Sequence, residues 1–308
     1  MKIIFMGTPD FASASLEKLI ASGHEILAVY TQPDRPSGRG KKLAYSAVKQ
    51  VALDHDLPVY QPEKVRAEQT IAELQALQPE VIIVVAYGQI LPQAILDIPR
   101  YGCLNVHGSI LPKYRGAAPI HWAILNGDTV TGVTVMKMDV GMDTGDILSV
   151  AEEQITPVDT TESLYNRLKL LGAELLVTTL KELEQGKIVA RKQDDAVATY
   201  TKLITRDMEK IDWQNSAVSI HNKIRALSGV YTVDSKGETL KIWRSSISEY
   251  KDTKLPVGSV VQLNKAGFIV QTGSQTLQIE EVQPANRKRM AAKDFANGRK
   301  LEIGEQFF

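Results

Sequence analysis

Polar residues that can stabilise a developing negative charge stand at the end of one apolar run of the chain. The segment 102–112 contains Asn105 and His107, two positions apart. Because alternate residues of a strand face the same way, the two side chains can point together into a cleft at the carboxyl edge of a parallel sheet. An amide donor and an imidazole suit a reaction in which a carbonyl oxygen becomes an oxyanion. The same pattern also fits a capped turn with a hydrogen-bonded histidine.

A second candidate segment, 138–146, combines carboxylates and glycines after a predicted strand. It holds Asp139, Asp143 and Asp146 together with two glycines. Glycines let the backbone bend tightly around a ligand, and one of the carboxylates could orient the His107 ring. A solvated acidic turn is the alternative. A calcium loop is disfavoured, because the spacing differs from that of an EF-hand and no glutamate stands at the required offset.

Two clusters of cations are candidates for contact with phosphates. The first lies in a segment rich in proline and glycine, which predicts an exposed loop, and the second follows the last predicted strands. The candidate residues are Arg35, Arg39, Lys41 and Lys42 in the first cluster, and Arg287 and Lys288, next to Arg289, in the second. Solubility alone also explains either cluster. A neighbouring oligonucleotide-binding barrel would favour the nucleic-acid interpretation.

The elements that must position these residues fall into two domains. The run 81–86 is apolar without alternation, which is typical of a strand buried on both faces of a parallel sheet. With the helical patterns between such runs, it predicts an α/β, Rossmann-like, mostly parallel domain over residues 1–188. A polar linker is predicted over 189–206. Short alternating runs over 207–308 predict a small antiparallel β-barrel of the oligonucleotide-binding (OB-like) type.

Composition excludes several classes of protein. The 308 residues are 44% hydrophobic and 23% charged, which argues against disorder and against a membrane bundle. No run approaches ~18 apolar residues, and the single Cys103 cannot form an intrachain disulfide, so we expect a cytoplasmic protein with no membrane partner. Net charge is +0, but residues 204–308 hold 16 Lys and Arg against 12 Asp and Glu. This mild excess favours an anionic partner for the second domain.

Several motifs together resemble one known family. Residues 105–112 (Asn-Val-His-Gly-Ser-Ile-Leu-Pro) and 138–146 resemble the signature of the folate-dependent formyltransferases. The segments 5–12, 32–42, 85–88 and 114–119 are similar in particular to members that formylate the methionine of initiator tRNA. Many members carry an Asn-Pro-Trp-Pro-like turn where this chain reads Ser-Gly-Val-Tyr at 228–231. The resemblance therefore does not assign to this chain any contact that the turn makes in other members.

The resemblance implies transfer of the formyl group of 10-formyltetrahydrofolate to the α-amino group of methionyl initiator tRNA, with no metal. It implies that Asn105 donates to the formyl oxygen and that protonated His107 stabilises the growing charge. Asp143 then holds His107 charged and helps to move the ammonium proton, as a base or only as an orienting group. The residues implied to border the folate are Ser109, Ile110, Leu111, Pro112, Ala86, Tyr87 and Leu91.

The partners follow from the same resemblance. The basic loop at 35–42 is expected to enter the acceptor arm of the tRNA, with Arg39 as the best single candidate, and the second domain to grip its backbone. A monomer is expected. Two alternatives stay open: formylation of a small amine, such as a nucleotide-linked amino sugar, by the same three residues, and a non-catalytic RNA-binding relative that keeps the fold.

Overall fold

The protein is described by a computed structural model that covers residues 1–37, 42–251 and 254–308. It divides into two compact units. The first consists of residues 1–119, 130–154 and 163–201, and the second of residues 120–129, 155–162 and 202–308. Two short segments from the predicted first domain therefore cluster with the second unit.

The chain up to residue 201 alternates strands and helices. The elements in order are β1 Lys2–Gly7, α1 Asp10–Ala21, β2 Glu25–Tyr30, β3 Arg35–Ser37, β4 Lys42–Ala44, α2 Ala47–Asp54, β5 Val59–Tyr60, α3 Glu68–Ala76, β6 Val81–Val85, α4 Gln93–Leu96, β7 Cys103–His107, β8 Arg115–Gly116, α5 Pro119–Leu125, β9 Val130–Lys137, β10 Ile147–Gln154, α6 Thr161–Glu184 and β11 Tyr200–Thr201. Seven of these strands form one sheet in the order β10-β9-β7-β6-β1-β2-β5. The five neighbouring strands β5, β2, β1, β6 and β7 run parallel. Strand β9 is antiparallel to β7, and β10 is antiparallel to β9.

The central strands are buried on both faces, as their unbroken apolar runs predict. All five residues of β6 are buried, and so are the residues of β1 from Ile3 to Gly7, whereas its first residue, Lys2, is exposed. Helix α6 packs closely on β7 and β9, because a Cβ at Gly172 would lie only 3.1 Å from Val106 and 3.3 Å from Val133. The prediction of a mostly parallel, Rossmann-like first domain is confirmed. Strand β7, which carries Asn105 and His107, lies inside this sheet, between β6 and β9.

The second unit is built on an antiparallel sheet. Its elements after residue 201 are α7 Ala217–Ala226, β12 Tyr231–Val233, β13 Thr239–Ser248, β14 Val260–Asn264, β15 Gly267–Gln271, β16 Thr276–Pro284, β17 Met290–Ala291 and α8 Ala292–Arg299. The strand order is β12-β13-β16-β15-β14, with β17 paired to β16. The last residues join the two edge strands: the Phe308 amide donates to Val233 (2.7 Å), and the Val260 amide donates to Glu305 (2.8 Å). The predicted antiparallel second domain is confirmed.

A buried carboxylate makes the second unit sensitive to acid. Asp234 is 3% exposed and pairs with Arg299. Burial alone would raise the pKa of Asp234, but hydrogen bonds from the Glu238 amide, the Arg299 guanidinium and the Lys236 amide hold that pKa below its usual value. A lowered pKa in the folded state stabilises the protein above the unfolded pKa of about 3.9, and this stabilisation is lost as the pH falls through the folded pKa.

We therefore expect Asp234→Asn to lower the free energy of unfolding at about pH 7 and to flatten its fall below about pH 4. Chemical denaturation at a series of pH values measures both effects. The matched control is Asp294→Asn, because Asp294 is exposed in the first turn of α8. If both variants follow the parental pH dependence, the ion pair does not stabilise the fold in this way.

Candidate active site

The structure brings together the three residues to which the resemblance assigns catalysis. Asn105 and His107 are two positions apart on β7, and Asp143 lies in the loop after β9. The Asn105 Nδ2 lies 3.4 Å from Asp143 Oδ1, and the His107 Nδ1 lies 3.6 Å from Asp143 Oδ2. The side chains of His107 and Asp143 are only 8% and 17% exposed. An amide, an imidazole and a carboxylate therefore share one partly buried site at the end of β7.

The His107 ring is oriented by one hydrogen bond and by one nearby carboxylate. Its Nε2 lies 2.9 Å from the backbone carbonyl oxygen of Tyr114. Because a carbonyl oxygen only accepts hydrogen bonds, Nε2 must carry the hydrogen in this arrangement. The Nδ1 then faces the Asp143 carboxylate at 3.6 Å, which is a charge contact rather than a hydrogen bond. A ring protonated on both nitrogens would therefore meet an acceptor at one and an anion at the other.

The Asp143 carboxylate is held by its backbone conformation and by one amide. Asp143 has a φ of 55°, in the left-handed region, which costs a non-glycine residue roughly 1–2 kcal/mol. Its Oδ2 accepts a hydrogen bond of 2.8 Å from the Gly116 amide. The turn is tight nearby, because a Cβ at Gly145 would lie 1.8 Å from the Lys137 carbonyl oxygen. Surrounding contacts must therefore maintain this loop.

One wall of the site comes from residues 191–201, here called the strap, which lie within the predicted linker. Arg191 exchanges two backbone hydrogen bonds with Ile147, and β11 pairs in parallel with β8. The Thr199 side chain accepts from the Tyr114 amide (2.8 Å), and the Thr199 carbonyl accepts from the Arg115 amide (2.8 Å). The strap thus fixes the residues that contact His107 and Asp143.

Arg115 is a residue of this region that sequence analysis assigned no role. It is 1% exposed, and its Nε donates to Gln193 (2.9 Å), Nη1 to the Tyr200 hydroxyl (2.8 Å) and Nη2 to Asp195 (2.7 Å). The Gln193 Nε2 in turn donates to the backbone carbonyls of Asp143 and Gly145, both at 2.7 Å. Residue type cannot distinguish a buried arginine from an exposed one. The only sequence feature that pointed to a role for Arg115 was the family-like motif at 114–119.

Four of the residues predicted to border the folate form a turn directly after β7. Ser109 is fully buried, and its hydroxyl donates to the Lys113 carbonyl (2.6 Å). The Thr134 hydroxyl of β9 donates to the Ser109 carbonyl (2.7 Å) and accepts from the Leu111 amide (3.1 Å). Ile110 and Pro112 are half-buried, whereas Leu111 is 3% exposed. The turn is therefore fixed to the sheet beside His107.

The other three predicted folate residues follow β6 and differ in exposure. Ala86 is exposed, with a φ of 46°. Tyr87 and Leu91 are 1% and 4% exposed and belong to the core cluster that also contains Met6 and Tyr30. Burial raises the pKa of Tyr87 to about 12, and its hydroxyl has no hydrogen-bond partner among the described residues. The structure therefore shows Tyr87 and Leu91 as packing residues, and their contact with a pterin stays a prediction.

The predicted tRNA-contacting residues that the structure describes lie on two pairs of strands, β3 with β4 and β16 with β17. Arg35 is exposed on β3, which pairs with β4. Arg39 and Lys41 lie outside the described residues, and Lys42 is the first residue of β4. In the second unit, Arg287 and Lys288 are exposed between β16 and β17. The neighbouring guanidinium, that of Arg289, lies over the Trp243 ring at 3.2 Å from its centre.

The described residues form neither a metal-binding cluster nor a membrane-spanning helix. In the residues that the structure describes, no group of three or more His, Cys, Asp or Glu side chains is placed to hold a metal ion. Over the same parts of the chain, no helix has the length and apolar character needed to cross a membrane.

The Rossmann-like sheet presents an amide, an imidazole and a carboxylate at one strand end, which are the groups that an enzyme needs to stabilise an oxyanion and to move a proton. Residues 1–180 match the formyl transferase family, and residues 203–300 match the C-terminal domain of formyl transferases. The chain therefore belongs to the formyltransferase family, as the sequence motifs indicated.

The most similar relatives cover nearly the whole chain. The methionyl-tRNA formyltransferase of Hydrogenovibrio crunogenus is 48% identical over 303 residues, which are 98% of this chain and 97% of the relative. That of Geobacter metallireducens is 47% identical over 307 residues, which are 99% of this chain and 97% of the relative. The match includes both units, so it extends well beyond the residues around β7.

Solved structures of lower identity share the fold. The N-formyltransferase of Helicobacter canadensis, in complex with folinic acid and dTDP-3-aminofucose, superimposes with a TM-score of 0.66 at 20% identity, covering 91% of this chain and 99% of that one. HypX of Aquifex aeolicus, in complex with tetrahydrofolic acid, gives a TM-score of 0.61 at 16% identity, covering 99% of this chain and 48% of that one. At these identities the likeness concerns the fold.

Proposed function

We propose that this enzyme transfers the formyl group of 10-formyltetrahydrofolate to the α-amino group of methionine on initiator tRNA. The observation that carries the proposal is the convergence of Asn105, His107 and Asp143 within 3.4–3.6 Å at the end of β7. The names of the full-length relatives support the acceptor, and the family supports a folate-type donor. The enzyme is expected to act as a cytoplasmic monomer.

The reaction requires stabilisation of an oxyanion. The free methionine amine attacks the formyl carbon, which creates a tetrahedral centre with a negative oxygen and an ammonium group. The hydrogen bond from Asn105 Nδ2 to Asp143 is long at 3.4 Å, and the amide has a second N–H available for the formyl oxygen. A protonated His107 ring would add positive charge beside this oxygen. One such donor typically contributes about 2.7–4 kcal/mol to the transition state.

Asp143 is suited to accept the proton that the ammonium group must lose. Its Oδ2 accepts from the Gly116 amide and faces His107, whereas its Oδ1 makes only the long contact with Asn105 among the residues that the structure describes. Oδ1 is therefore the atom that we assign as proton acceptor, directly or through a water molecule. Once the proton has left, collapse of the tetrahedral centre breaks the bond to the folate nitrogen, and that nitrogen regains a proton.

The folate and the tRNA would be bound by different surfaces. The turn formed by residues 109–112 would border the folate, because it lies directly beside His107 and is pinned to β9. Arg35 on β3, and Arg287 and Lys288 between β16 and β17, would contact phosphates of the tRNA. Such contacts release counterions, so binding should weaken as salt is added.

Transfer of labelled formyl groups to three acceptors tests the proposed function. The acceptors are methionyl initiator tRNA, methionyl elongator tRNA and a nucleotide-linked amino sugar, each with 10-formyltetrahydrofolate as donor. We expect rapid formylation of the initiator tRNA alone. Preferential formylation of the amino sugar would favour the alternative enzyme. Retention of tRNA without any transfer would favour the non-catalytic relative.

The salt dependence of tRNA binding tests the turn between β16 and β17. We expect Arg287→Ala and Lys288→Ala each to raise KM for the tRNA without changing kcat. Each should reduce the slope of log affinity against log salt concentration by roughly one, since each removes one phosphate contact. Lys187→Ala is the matched control, because Lys187 is exposed on the first unit. Parental slopes for both Arg287→Ala and Lys288→Ala would remove this turn from the tRNA-binding surface.

A further inference from the structure

We propose that Gln193 is a positioning residue that sets the conformation of the catalytic Asp143, with buried Arg115 fixing the orientation of the Gln193 amide. The inference rests on the proposed function, because it concerns the rate of the same formyl transfer. It assigns a role in catalysis to the strap.

The contact between Gln193 and the Asp143 loop is direct. The Gln193 Nε2 donates two hydrogen bonds of 2.7 Å, to the backbone carbonyls of Asp143 and Gly145. These two carbonyls flank Thr144 in the segment where Asp143 adopts a φ of 55°. Because a left-handed conformation is unfavourable for a residue with a Cβ, the loop needs external contacts to keep it. Gln193 provides two of them from one side chain.

Arg115 determines which way the Gln193 amide faces. A guanidinium group only donates hydrogen bonds, so the atom of Gln193 that lies 2.9 Å from Arg115 Nε must be the oxygen. The amide nitrogen is then directed at the two loop carbonyls, which only accept. Arg115 is itself fixed, because it is 1% exposed and its remaining donors reach the Tyr200 hydroxyl and the Asp195 carboxylate.

Arg115 and Gly116 also hold the other end of Asp143. The Arg115 side chain acts through Gln193 on the Asp143 backbone, while the Gly116 amide donates to the Asp143 carboxylate at 2.8 Å. Gly116 has a φ of 98°, and a Cβ there would lie 2.7 Å from the Thr201 carbonyl oxygen of the strap. The backbone of Asp143, through Gln193, and its carboxylate are thus both held by Arg115 and Gly116. These two residues are in turn fixed by their contacts with the strap.

A double-mutant cycle tests whether Gln193 acts through Asp143. Gln193→Met keeps the length of the side chain and removes both hydrogen bonds to the loop. We expect it to lower the single-turnover rate of formyl transfer by about 10²-fold, the loss typical of a misplaced catalytic group. In an Asp143→Asn background the same substitution should lower the rate by less than about threefold, because the function that it supports is already absent.

A purely structural role predicts a different result. It would give the same fold loss in both backgrounds, and that outcome, or a parental rate for Gln193→Met, would overturn the proposal. Gln185→Ala, at an exposed glutamine beyond α6, is the control for substitution at the surface. A parental protein that transfers no formyl group to methionyl initiator tRNA would instead contradict the proposed function.

A second variant keeps the test valid if Gln193→Met is unstable. Gln193→Glu retains a partner for Arg115 but presents an acceptor to the two carbonyl oxygens, so it should also slow transfer by about 10²-fold at neutral pH. Thermal unfolding of each variant is measured beside its rate. A slow variant with the parental unfolding midpoint supports positioning, whereas a rate loss that appears only in variants with lowered midpoints contradicts it.

Discussion

Replacement of His107 by alanine is expected to lower kcat for formyl transfer by about 10³-fold, within the 10²–10⁴-fold range typical of positioned acid–base groups. The substitution removes the imidazole that faces Asp143 at 3.6 Å, and Asp143 also contacts the Asn105 amide. Because the imidazole is proposed to act on the oxyanion rather than on the bound substrates, KM should change far less than kcat. Single-turnover transfer to methionyl initiator tRNA measures the chemical step.

Two further variants separate catalysis from folding. His107→Gln retains a side-chain N–H that can donate to the Tyr114 carbonyl, so it should unfold close to the parental midpoint while remaining slow. His55→Ala, at an exposed position after α2, should formylate at the parental rate. Transfer by His107→Ala at the parental rate would remove the imidazole from the mechanism.

The strands of the sheet could be predicted because their apolar residue types indicate that they are buried. Strand β6 has no polar residue and is buried along its length, which places it in the middle of a parallel sheet. The alternation of residue types on β7 likewise predicted that Asn105 and His107 share a face, since a strand fixes the direction of every second side chain. Both are local properties of the chain.

The choice of Asp143 among three nearby carboxylates could not be made from spacing. Its position depends on a backbone φ of 55° and on a hydrogen bond from the Gly116 amide, 27 residues earlier. Neither is a local property of the sequence. The resemblance to the formyltransferases selected this residue, and the structure brings it to His107.

The strap was predicted as a linker because it is polar and shows no amphipathic period. Its attachment to the first unit uses backbone pairing and polar side chains, such as Gln193 and Thr199, rather than apolar burial. The pattern of hydrophobic residues therefore could not predict that the strap is attached to the first unit. The closing segment at residues 304–308 was missed for a similar reason, since short backbone bridges join it to β12 and β14.

The role of apolar residues that follow a strand could not be predicted from the sequence either. The predicted pterin wall includes Tyr87 and Leu91, which the structure packs into the core of the first unit, so their contact with a pterin stays a prediction. An apolar side chain after a parallel strand can line a ligand cleft or support it from below, and residue type does not distinguish these roles. The distinction requires the exposure of each side chain.

Asp143→Asn is expected to lower kcat by about 10²–10⁴-fold, the range for loss of a positioned proton acceptor. Asparagine fills the same volume and can still accept from the Gly116 amide, so the fold should persist. The substitution removes the carboxylate 3.6 Å from His107 Nδ1, and with it the oxygen that we propose takes the proton of the attacking amine. KM for the tRNA should stay near the parental value, because the residues proposed to bind the tRNA are unchanged.

The same loop offers a matched control in Asp139→Asn. The Asp139 Oδ1 accepts from the Gly141 amide (2.9 Å) and from the Thr144 hydroxyl (2.6 Å), and an asparagine oxygen can accept both. This variant should therefore formylate at close to the parental rate in single-turnover assays. If Asp139→Asn and Asp143→Asn lose activity equally, the carboxylates act by shaping the loop, and proton transfer must be assigned to another group. If only Asp143→Asn is slow, the effect belongs to the one carboxylate that reaches both Asn105 and His107.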